Sequence, residues 1–187
     1  MNCNNYKNIQ KLSYNDPIFL IGMMGSGKTT IGKHLAKNLN RKFLDLDHLI
    51  ELKSGLNIPT IFEIVGEVGF REQESCVLNE CLNCKNTIIA TGGGIILSEK
   101  NRISLMKSGI VVYFKTNINE LFKRTYKDNN RPLLSTKDPY ITIEKMLKLR
   151  EPLYLKTADL VIDTSINSIE NIINSLLILL YEHKRIK

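Results

Sequence analysis

Near its N-terminus the chain carries the glycine-rich stretch Gly22-Met23-Met24-Gly25-Ser26-Gly27-Lys28-Thr29. It fits the pattern G-x-x-x-x-G-K-[ST], in which backbone N–H groups surround phosphate oxygens and the lysine adds a full positive charge. Such a phosphate-binding loop (P-loop) works between a strand and a helix, and here an apolar run precedes it and a helical pattern follows. The Thr29 hydroxyl is the expected Mg²⁺ ligand. A glycine-rich turn without a ligand is the alternative interpretation.

The composition predicts an ordinary globular protein. The chain has 187 residues, of which 43% are hydrophobic and 24% charged, enough for one domain with a sizeable core. The net charge of +7 allows nucleic acid, an anionic membrane or small anionic substrates as partners. Because the basic residues are spread along the chain, except in the tail 184–187, we expect no nucleic-acid partner. We expect a single domain over 17–187, acting as a monomer.

The termini and the cysteines point to the cytoplasm. Residues 1–16 are polar and lack a secretory signal pattern, so we interpret them as a loosely ordered extension. The apolar run near the C-terminus is too short to cross a bilayer, so no membrane partner is expected. Cys81-x-x-Cys84 resembles half of a zinc site, but the chain has no second such pair. We therefore expect all four cysteines to be free thiols, including Cys3 and Cys76.

Apolar runs alternate with helical patterns from residue 18 to the C-terminus. This alternation is typical of an α/β fold with a parallel sheet. The run Ile110-Val111-Val112-Tyr113-Phe114 is continuous, as in a strand that is covered on both faces. The predicted strands are 18–22, 42–45, 87–91, 110–114 and 160–163.

Two regions interrupt the alternation. Residues 46–86 contain helices at 47–53, 59–65 and 67–82 without a strand between them, and Gly66 and Gly69 mark a joint. An insertion of this kind often builds a substrate pocket. Residues 127–139 are polar, contain two prolines and include Arg131, which suggests a lid that closes over a bound nucleotide.

Two carboxylates follow the second predicted strand. Period-two geometry would place Asp45 and Asp47 on one side of the strand end, at the ligand-binding edge of the sheet. One carboxylate could hold hydrated Mg²⁺, and the other could accept a proton from a hydroxyl. A helix N-cap is the alternative role for either residue, and the two interpretations can coexist.

Three further features are ambiguous from pattern alone. Arg71 and Glu74 lie three residues apart on one helical face, as in a surface ion pair. The glycines 92–94 leave a predicted strand, so either a ligand or another backbone comes close, or the turn is merely flexible. Arg150 by itself would be an ordinary surface arginine.

Taken together and in order, these motifs resemble the shikimate kinase family. The resemblance runs from about residue 17 to 182. It implies a three-layer α/β/α P-loop kinase fold of the nucleoside-monophosphate-kinase-like class. Such a fold has a five-stranded parallel sheet, a helical substrate-binding insertion at about 46–86 and a mobile lid loop at about 126–140. The matching motifs are Asp45-x-Asp47-x-x-Ile50-Glu51, Phe70-Arg71-x-x-Glu74, Gly92-Gly93-Gly94, Arg131-Pro132-Leu133-Leu134 and Arg150-x-Pro152-Leu153-Tyr154.

The resemblance implies an activity and a set of ATP contacts. The family transfers the γ-phosphoryl group of ATP to the 3-hydroxyl of shikimate, on the route to chorismate and the aromatic amino acids, and uses Mg²⁺. Thr29 would bind the metal directly and Asp45 through water. No Asp follows the strand 87–91, so Asp45 would replace the usual Walker-B carboxylate. The implied ATP-binding residues are Gly25, Ser26, Gly27, Lys28, Thr29, Thr30, Arg124, Arg131 and Asn167.

The resemblance also implies the shikimate contacts. Arg71 and Arg150 would clamp the carboxylate, with Glu74 fixing Arg71. Asp47 would hydrogen-bond the hydroxyls as the candidate base, and Lys28 and Arg131 would complete the catalytic set. The remaining implied contacts are backbone groups of Gly92, Gly93 and Gly94.

Two alternatives remain open at this stage. One is a gluconate-type or nucleotide small-molecule kinase of the same fold, and the other is a non-catalytic nucleotide-binding switch.

Overall fold

The computed structural model describes residues 15–126, 132–134, 136–165 and 168–185. Within them, five parallel strands form one sheet in the order β2-β3-β1-β4-β5. Each of the five predicted strands is present, and every boundary agrees to within one residue. The strands are β1 (Ile18–Ile21), β2 (Lys42–Asp45), β3 (Thr87–Ala90), β4 (Ile110–Lys115) and β5 (Leu160–Asp163).

Seven helices of the described chain connect and cover these strands. Short 3₁₀ turns lie at Ile95–Leu97 and Pro132–Leu134. Among the described residues, none of the helices combines the length and apolar character needed to span a bilayer. The helices are α1 (Lys28–Asn38), α2 (Leu46–Ser54), α3 (Ile58–Cys81), α4 (Glu99–Ser108), α5 (Ile118–Thr125), α6 (Pro139–Thr157) and α7 (Ile169–Arg185).

The strands send alternate side chains into two separate cores. From β1, Phe19 and Ile21 pack with apolar residues of α2, α3, α4 and α6 on one face of the sheet. Ile18 and Leu20 pack with residues of α1 and α7 on the other face. Because both faces are covered, the strands are apolar throughout, as the run 110–114 predicted. The three-layer α/β/α fold with a five-stranded parallel sheet is therefore confirmed.

The sheet order places the chemically important segments side by side. β1 lies between β3 and β4, so the P-loop after β1 is next to the glycines that follow β3. β2 pairs with the other side of β3 and ends at Asp45. The carboxyl ends of parallel strands form a crevice where ligands bind in open α/β sheets. The insertion 46–86 stands over this crevice through α2 and α3.

The expected position of Asp47 on the strand end is wrong. β2 ends at Asp45, whose side chain accepts a hydrogen bond from the Asp47 N–H at 3.1 Å. Asp45 is thus the N-cap of α2, and Asp47 lies in the first helical turn. The strand ends at Asp45 as predicted, so Asp47 follows helical rather than period-two geometry, and the alternative N-cap role is confirmed for Asp45.

The cysteines of the described chain are free, as expected. Cys81 is buried at the end of α3, whereas Cys76 is exposed and Cys84 half-buried. Cys3 lies outside the described residues. Within them, no group of three or more His, Cys, Asp or Glu side chains is placed to hold a metal ion.

Gly66 joins two helical segments inside α3. Its backbone has φ 66° and ψ −176°, in a region that essentially only glycine adopts. The predicted helices 59–65 and 67–82 therefore meet at a sharp joint, as the sequence indicated. Gly69, the other predicted marker, lies within the second segment.

We expect Gly66→Ala to lower the free energy of unfolding by about 1–3 kcal/mol, because an alanine Cβ is strained in this backbone conformation. A Cβ at Gly66 would meet no atom within 4 Å, so the cost is one of backbone conformation alone. Gly55→Ala is the matched control, since it is equally open in space but sits in the milder left-handed helical region at φ 69°. Urea unfolding of both variants measures the difference; equal losses would contradict the assignment of Gly66 as the joint.

Candidate active site

A cavity opens at the carboxyl ends of β1 and β3, beneath the insertion and α6. The empty space in it, counted together with the part that is open to bulk solvent, is about 490 Å³. The P-loop contributes Met24, and α2 contributes Asp47. The charged side chains that line it, besides Asp47, are Arg71, Glu74 and Arg150, and the backbone of Gly92, Gly93 and Gly94 forms one wall.

The P-loop has the conformation that its sequence predicts. Gly25 and Gly27 take positive φ values of 78° and 90°, which let successive N–H groups turn toward one centre. The Lys28 ammonium group donates to the carbonyl oxygens of Gly22 at 2.8 Å and Met23 at 2.9 Å. Lys28 is therefore buried and held within the curve of the loop.

Thr29 and Asp45 meet beside the P-loop. The Thr29 hydroxyl donates to Asp45 Oδ2 at 2.7 Å, while the other carboxylate oxygen of Asp45 caps α2. A hydroxyl and a carboxylate oxygen next to a phosphate-binding loop are suitable ligands for Mg²⁺, which commonly binds through one or two protein oxygens plus phosphates and water. The donor set therefore fits the metal that the sequence predicts.

Arg71 and Glu74 do not form a surface ion pair. Arg71 Nη1 lies 2.8 Å from Glu74 Oε2, and the Glu74 side chain is only 1% exposed. Arg71 Nη2 also contacts Glu67 at 3.1 Å, on the exposed side of the same helix. The pair thus fixes the Arg71 guanidinium group at the cavity wall, and the alternative interpretation of a solvated pair is excluded.

Burial changes the ionisation of these groups. Desolvation raises the pKa of Glu74 to about 7, with a further contribution from the charge of Asp47, and the nearby Arg71 only partly opposes this. Burial alone would lower the pKa of Arg71, but the carboxylate of Glu74 more than compensates and raises it. Burial lowers the pKa of Arg150, and the charge of Arg71 acts in the same direction. Two cationic side chains are therefore held close together at one cavity.

The three glycines leave space for these side chains. A Cβ at Gly92 would lie 2.1 Å from Glu74 Oε1, and a Cβ at Gly94 would lie 2.1 Å from Arg71 Nη1. A Cβ at Gly93 would approach the backbone nitrogen of Met24 to 3.3 Å. The close approach inferred from the sequence is real, and the approaching groups are the charged pair and the P-loop backbone. A merely flexible turn is excluded.

Arg150 is buried, contrary to what its sequence context alone suggests. It is 4% exposed, and its Nη1 donates to the carbonyl oxygen of Gly93 at 3.3 Å. Within the described part of the chain, the Nε atoms of Arg71 and Arg150 and Glu74 Oε1 are buried without a hydrogen-bond partner. A site with unpartnered donors from two guanidinium groups is suited to an anion.

Tyr154 is a site residue to which sequence reasoning gave no role. Its hydroxyl donates to the same Gly93 carbonyl at 2.5 Å, and its ring stacks on Tyr113. The spacing Arg150-x-x-x-Tyr154 puts both side chains on one face of α6, which is the signal that could have identified it.

Arg124 connects the P-loop to the segment that follows β5. Its guanidinium group donates to the carbonyl oxygens of Thr164 at 2.8 Å and Ser165 at 3.2 Å, and to that of Gly25 at 3.4 Å. This position is consistent with the nucleotide side of the crevice. Thr30 is exposed on α1. Arg131 and Asn167 lie outside the described residues, as do residues 127–130 and 135 of the predicted lid.

Comparison with known proteins gives one consistent result. The family model described as shikimate kinase matches residues 24–181. A shikimate kinase from Bordetella pertussis is 51% identical over 166 residues, which are 89% of this chain and 79% of that protein.

Solved structures agree with the sequence comparison. A shikimate kinase from Acinetobacter baumannii, solved in complex with shikimate, superposes with a TM-score of 0.89 at 46% identity and covers 91% of this chain and 96% of that one. A gluconokinase from Sinorhizobium meliloti is 13% identical, with a TM-score of 0.57, covering 92% of this chain and 95% of that one. At that identity the second likeness concerns the fold alone.

The raised pKa of Glu74 predicts a specific pH dependence of stability. The protonated carboxyl is the form that the folded state favours, so its contribution is present below pH 4.5 and is lost as the pH rises through about 7. We expect Glu74→Gln, which has no proton to lose, to lack this decline. The loss of unfolding free energy between pH 5 and pH 8 should be larger in the wild-type protein than in the variant, by at most about 3 kcal/mol.

Urea unfolding at the two pH values measures this difference. Glu63→Gln is the matched control, because Glu63 is an exposed carboxylate on the same helix. If the free energy of unfolding changes with pH in parallel for Glu74→Gln and the wild-type protein, burial of the Glu74 carboxyl does not raise its pKa.

Proposed function

The chain belongs to the shikimate kinase family, and from this premise we propose how its residues transfer the γ-phosphoryl group of ATP to the 3-hydroxyl of shikimate. ATP is the co-substrate of this reaction. One observation carries the proposal most directly. The guanidinium groups of the buried Arg150 and the half-buried Arg71, both with buried and unpartnered Nε atoms, line a cavity that borders the P-loop. The site thus offers adjacent positions for a carboxylate and a triphosphate.

Arg71 and Arg150 bind the shikimate carboxylate in this proposal. A guanidinium group presents donors in a planar fork that matches a carboxylate, which a lysine ammonium does not. The charge of the incoming anion also relieves the repulsion that Arg71 exerts on Arg150. Glu74 holds Arg71 from behind, and the backbone of the glycines 92–94 forms the wall along which the ring lies.

Asp47 is the proposed base. It lies in the first turn of α2 and lines the same cavity as the two arginines. A carboxylate there can hydrogen-bond the substrate hydroxyls and accept the proton of the attacking one, as general bases do. The proton moves to the Asp47 carboxylate while the hydroxyl oxygen bonds to the γ-phosphorus and ADP leaves.

The P-loop binds the phosphates of ATP. The backbone of residues 25–28 and the Lys28 ammonium group neutralise the β- and γ-phosphates, which is where charge must be stabilised in phosphoryl transfer. Thr30 and Arg124 support the nucleotide, the latter as the adenine-stacking side chain. Arg131 as the lid arginine and Asn167 as an adenine contact remain predictions from the sequence.

Thr29 and Asp45 are the proposed magnesium ligands, Thr29 directly and Asp45 through water. Magnesium, when bound, offsets the phosphate charge during transfer. The hydrogen bond between Thr29 and Asp45 supports the proposal, because it brings two oxygen atoms together at the edge of the P-loop.

We also infer that one copy of the chain suffices and that it acts in the cytoplasm. The described site residues all come from a single sheet and its helices, over the predicted domain 17–187. Residues 1–14 lie outside the described chain, so the extension 1–16 keeps no assigned role.

A coupled assay of ADP release tests the proposed reaction. We expect ADP release with Mg·ATP to depend on added shikimate. Gluconate and AMP test the alternative substrates of the same fold, and ATP alone tests the nucleotide-binding switch. Stimulation by gluconate or AMP but not by shikimate would contradict the proposal, as would binding of ATP without any stimulated turnover.

Arg71→Ala tests the carboxylate clamp. We expect the KM for shikimate to rise about 10- to 100-fold, because a hydrogen-bonded charge contributes about 1.5–3 kcal/mol, while the KM for ATP stays within twofold. Arg41→Ala is the control, since Arg41 donates to the backbone oxygen of Asp16 at the opposite end of the sheet. Arg71→Ala leaves the buried Glu74 carboxyl without its partner. The double variant Arg71→Ala/Glu74→Gln removes that unpaired carboxyl. An equal rise in both KM values would show that Arg71 does not act through shikimate.

A further inference from the structure

We propose that Tyr154 is a positioning residue for shikimate binding, whose hydroxyl holds the Gly93 carbonyl so that Arg150 is free to turn to the substrate carboxylate. This inference rests on the proposed function, in which Arg150 binds that carboxylate. It adds a residue to the site and assigns the Gly93 carbonyl a shared role in substrate binding.

The geometry of Tyr154 is specific. The side chain is 0% exposed, and its hydroxyl lies 2.5 Å from the Gly93 carbonyl oxygen. The ring stacks on Tyr113 of β4, with centroids 4.9 Å apart and planes inclined by 15°. Burial raises the pKa of Tyr154, so the hydroxyl keeps its proton and remains a donor at neutral pH. A rigid ring therefore directs one O–H at one carbonyl oxygen.

Arg150 shares this acceptor. It lies one helical turn before Tyr154 on α6, and its Nη1 contacts the Gly93 oxygen at 3.3 Å. A carbonyl oxygen has two lone pairs and can accept both donors. The arginine contact is the longer of the two, and hydrogen bonds weaken with distance. Breaking the Arg150 hydrogen bond to the Gly93 carbonyl therefore costs less free energy than breaking the Tyr154 bond.

The hydroxyl matters when Arg150 leaves. If the Arg150 guanidinium group turns to an incoming carboxylate, the Gly93 carbonyl loses one donor in a buried position. A buried carbonyl without any partner costs about as much as a lost hydrogen bond. Because Tyr154 retains its bond, the carbonyl stays satisfied and the exchange at Arg150 becomes easier.

The same bond sets the direction of a neighbouring donor. The Gly93 C=O and the Gly94 N–H belong to one peptide unit, and the described chain contains no cis peptide bonds. In a trans peptide these two groups point in opposite directions. By fixing the carbonyl, Tyr154 fixes the direction of the Gly94 N–H, at a residue whose Cβ position would overlap the Arg71 guanidinium group. One hydroxyl therefore leaves Arg150 free to turn and also fixes the direction of a backbone donor.

A purely structural role makes a different prediction. If the Tyr154 hydroxyl only satisfies a buried carbonyl, its removal would lower stability and leave substrate preference unchanged. Gly93 also packs against the P-loop backbone, with its Cβ position 3.4 Å from the Gly22 oxygen. General loosening of the turn would therefore weaken shikimate and ATP alike, whereas loss of positioning weakens shikimate selectively.

The test is Tyr154→Phe, with shikimate and ATP affinities measured by calorimetry and kcat and KM by the coupled assay. We expect shikimate binding to weaken about tenfold, since one hydrogen bond to a buried group is lost, with ATP affinity within twofold and kcat less affected than KM. Tyr113→Phe is the matched control, because it removes a hydroxyl from the stacked partner ring without touching Gly93.

Two unnatural side chains at position 154 complete the experiment. 4-Aminophenylalanine restores an N–H donor at the same ring position, and we expect it to recover shikimate affinity. 4-Fluorophenylalanine fills the space of the hydroxyl without donating, and it replaces Tyr154→Phe in the test if that variant fails to fold.

Three results would overturn the inference. They are shikimate affinity within twofold of wild type, equal weakening of shikimate and ATP, or no recovery with 4-aminophenylalanine. If the wild-type protein itself binds no shikimate, the proposed function fails first, and the inference fails with it. If the wild-type protein binds shikimate and Tyr154→Phe binds it equally well, the inference fails while the proposed function stands.

Discussion

The site depends on burying a carboxyl group, Glu74, behind an arginine. Water cannot stabilise a charge at this depth, so burial raises the pKa of Glu74, and Arg71 opposes this only in part. The same contact fixes Arg71 at the cavity wall. The glycines at 92–94 follow from the same constraint, because side chains at 92 and 94 would occupy the space of the carboxylate and the guanidinium group. A second arginine, the buried Arg150, completes a cationic wall that an anion stabilises.

The parallel sheet converts this local arrangement into a two-substrate site. Strand order β2-β3-β1 brings the ends of three strands to one edge, so the Asp45 cap, the glycine turn and the P-loop are neighbours although they lie far apart in sequence. The glycine turn touches both halves, since Gly93 packs on the P-loop backbone and accepts hydrogen bonds from α6. The positions for the acceptor and the triphosphate therefore share one rigid element.

Much of the fold was predictable because its signals are local. Apolar runs gave the strands to within a residue, and Gly66 gave the joint in α3 because its backbone conformation is open essentially to glycine alone. The error at Asp47 has a local cause as well. Period-two reasoning assumes that the strand continues, but the Asp45 side chain caps α2 and turns Asp47 into the helix.

The sequence by itself determined the phosphate-binding loop, the α/β alternation and, through ordered motifs, the family. Tertiary structure alone decided what the isolated residues do. A spacing of three between Arg71 and Glu74 is the same on a solvated face as in a buried wall. Only packing against α2 and the glycine turn 92–94 distinguishes the two. Arg150 and Tyr154 likewise acquire their roles from the Gly93 carbonyl, about 60 residues earlier in the chain. The burial of a side chain depends on such long-range contacts, which cannot be inferred from a local sequence pattern.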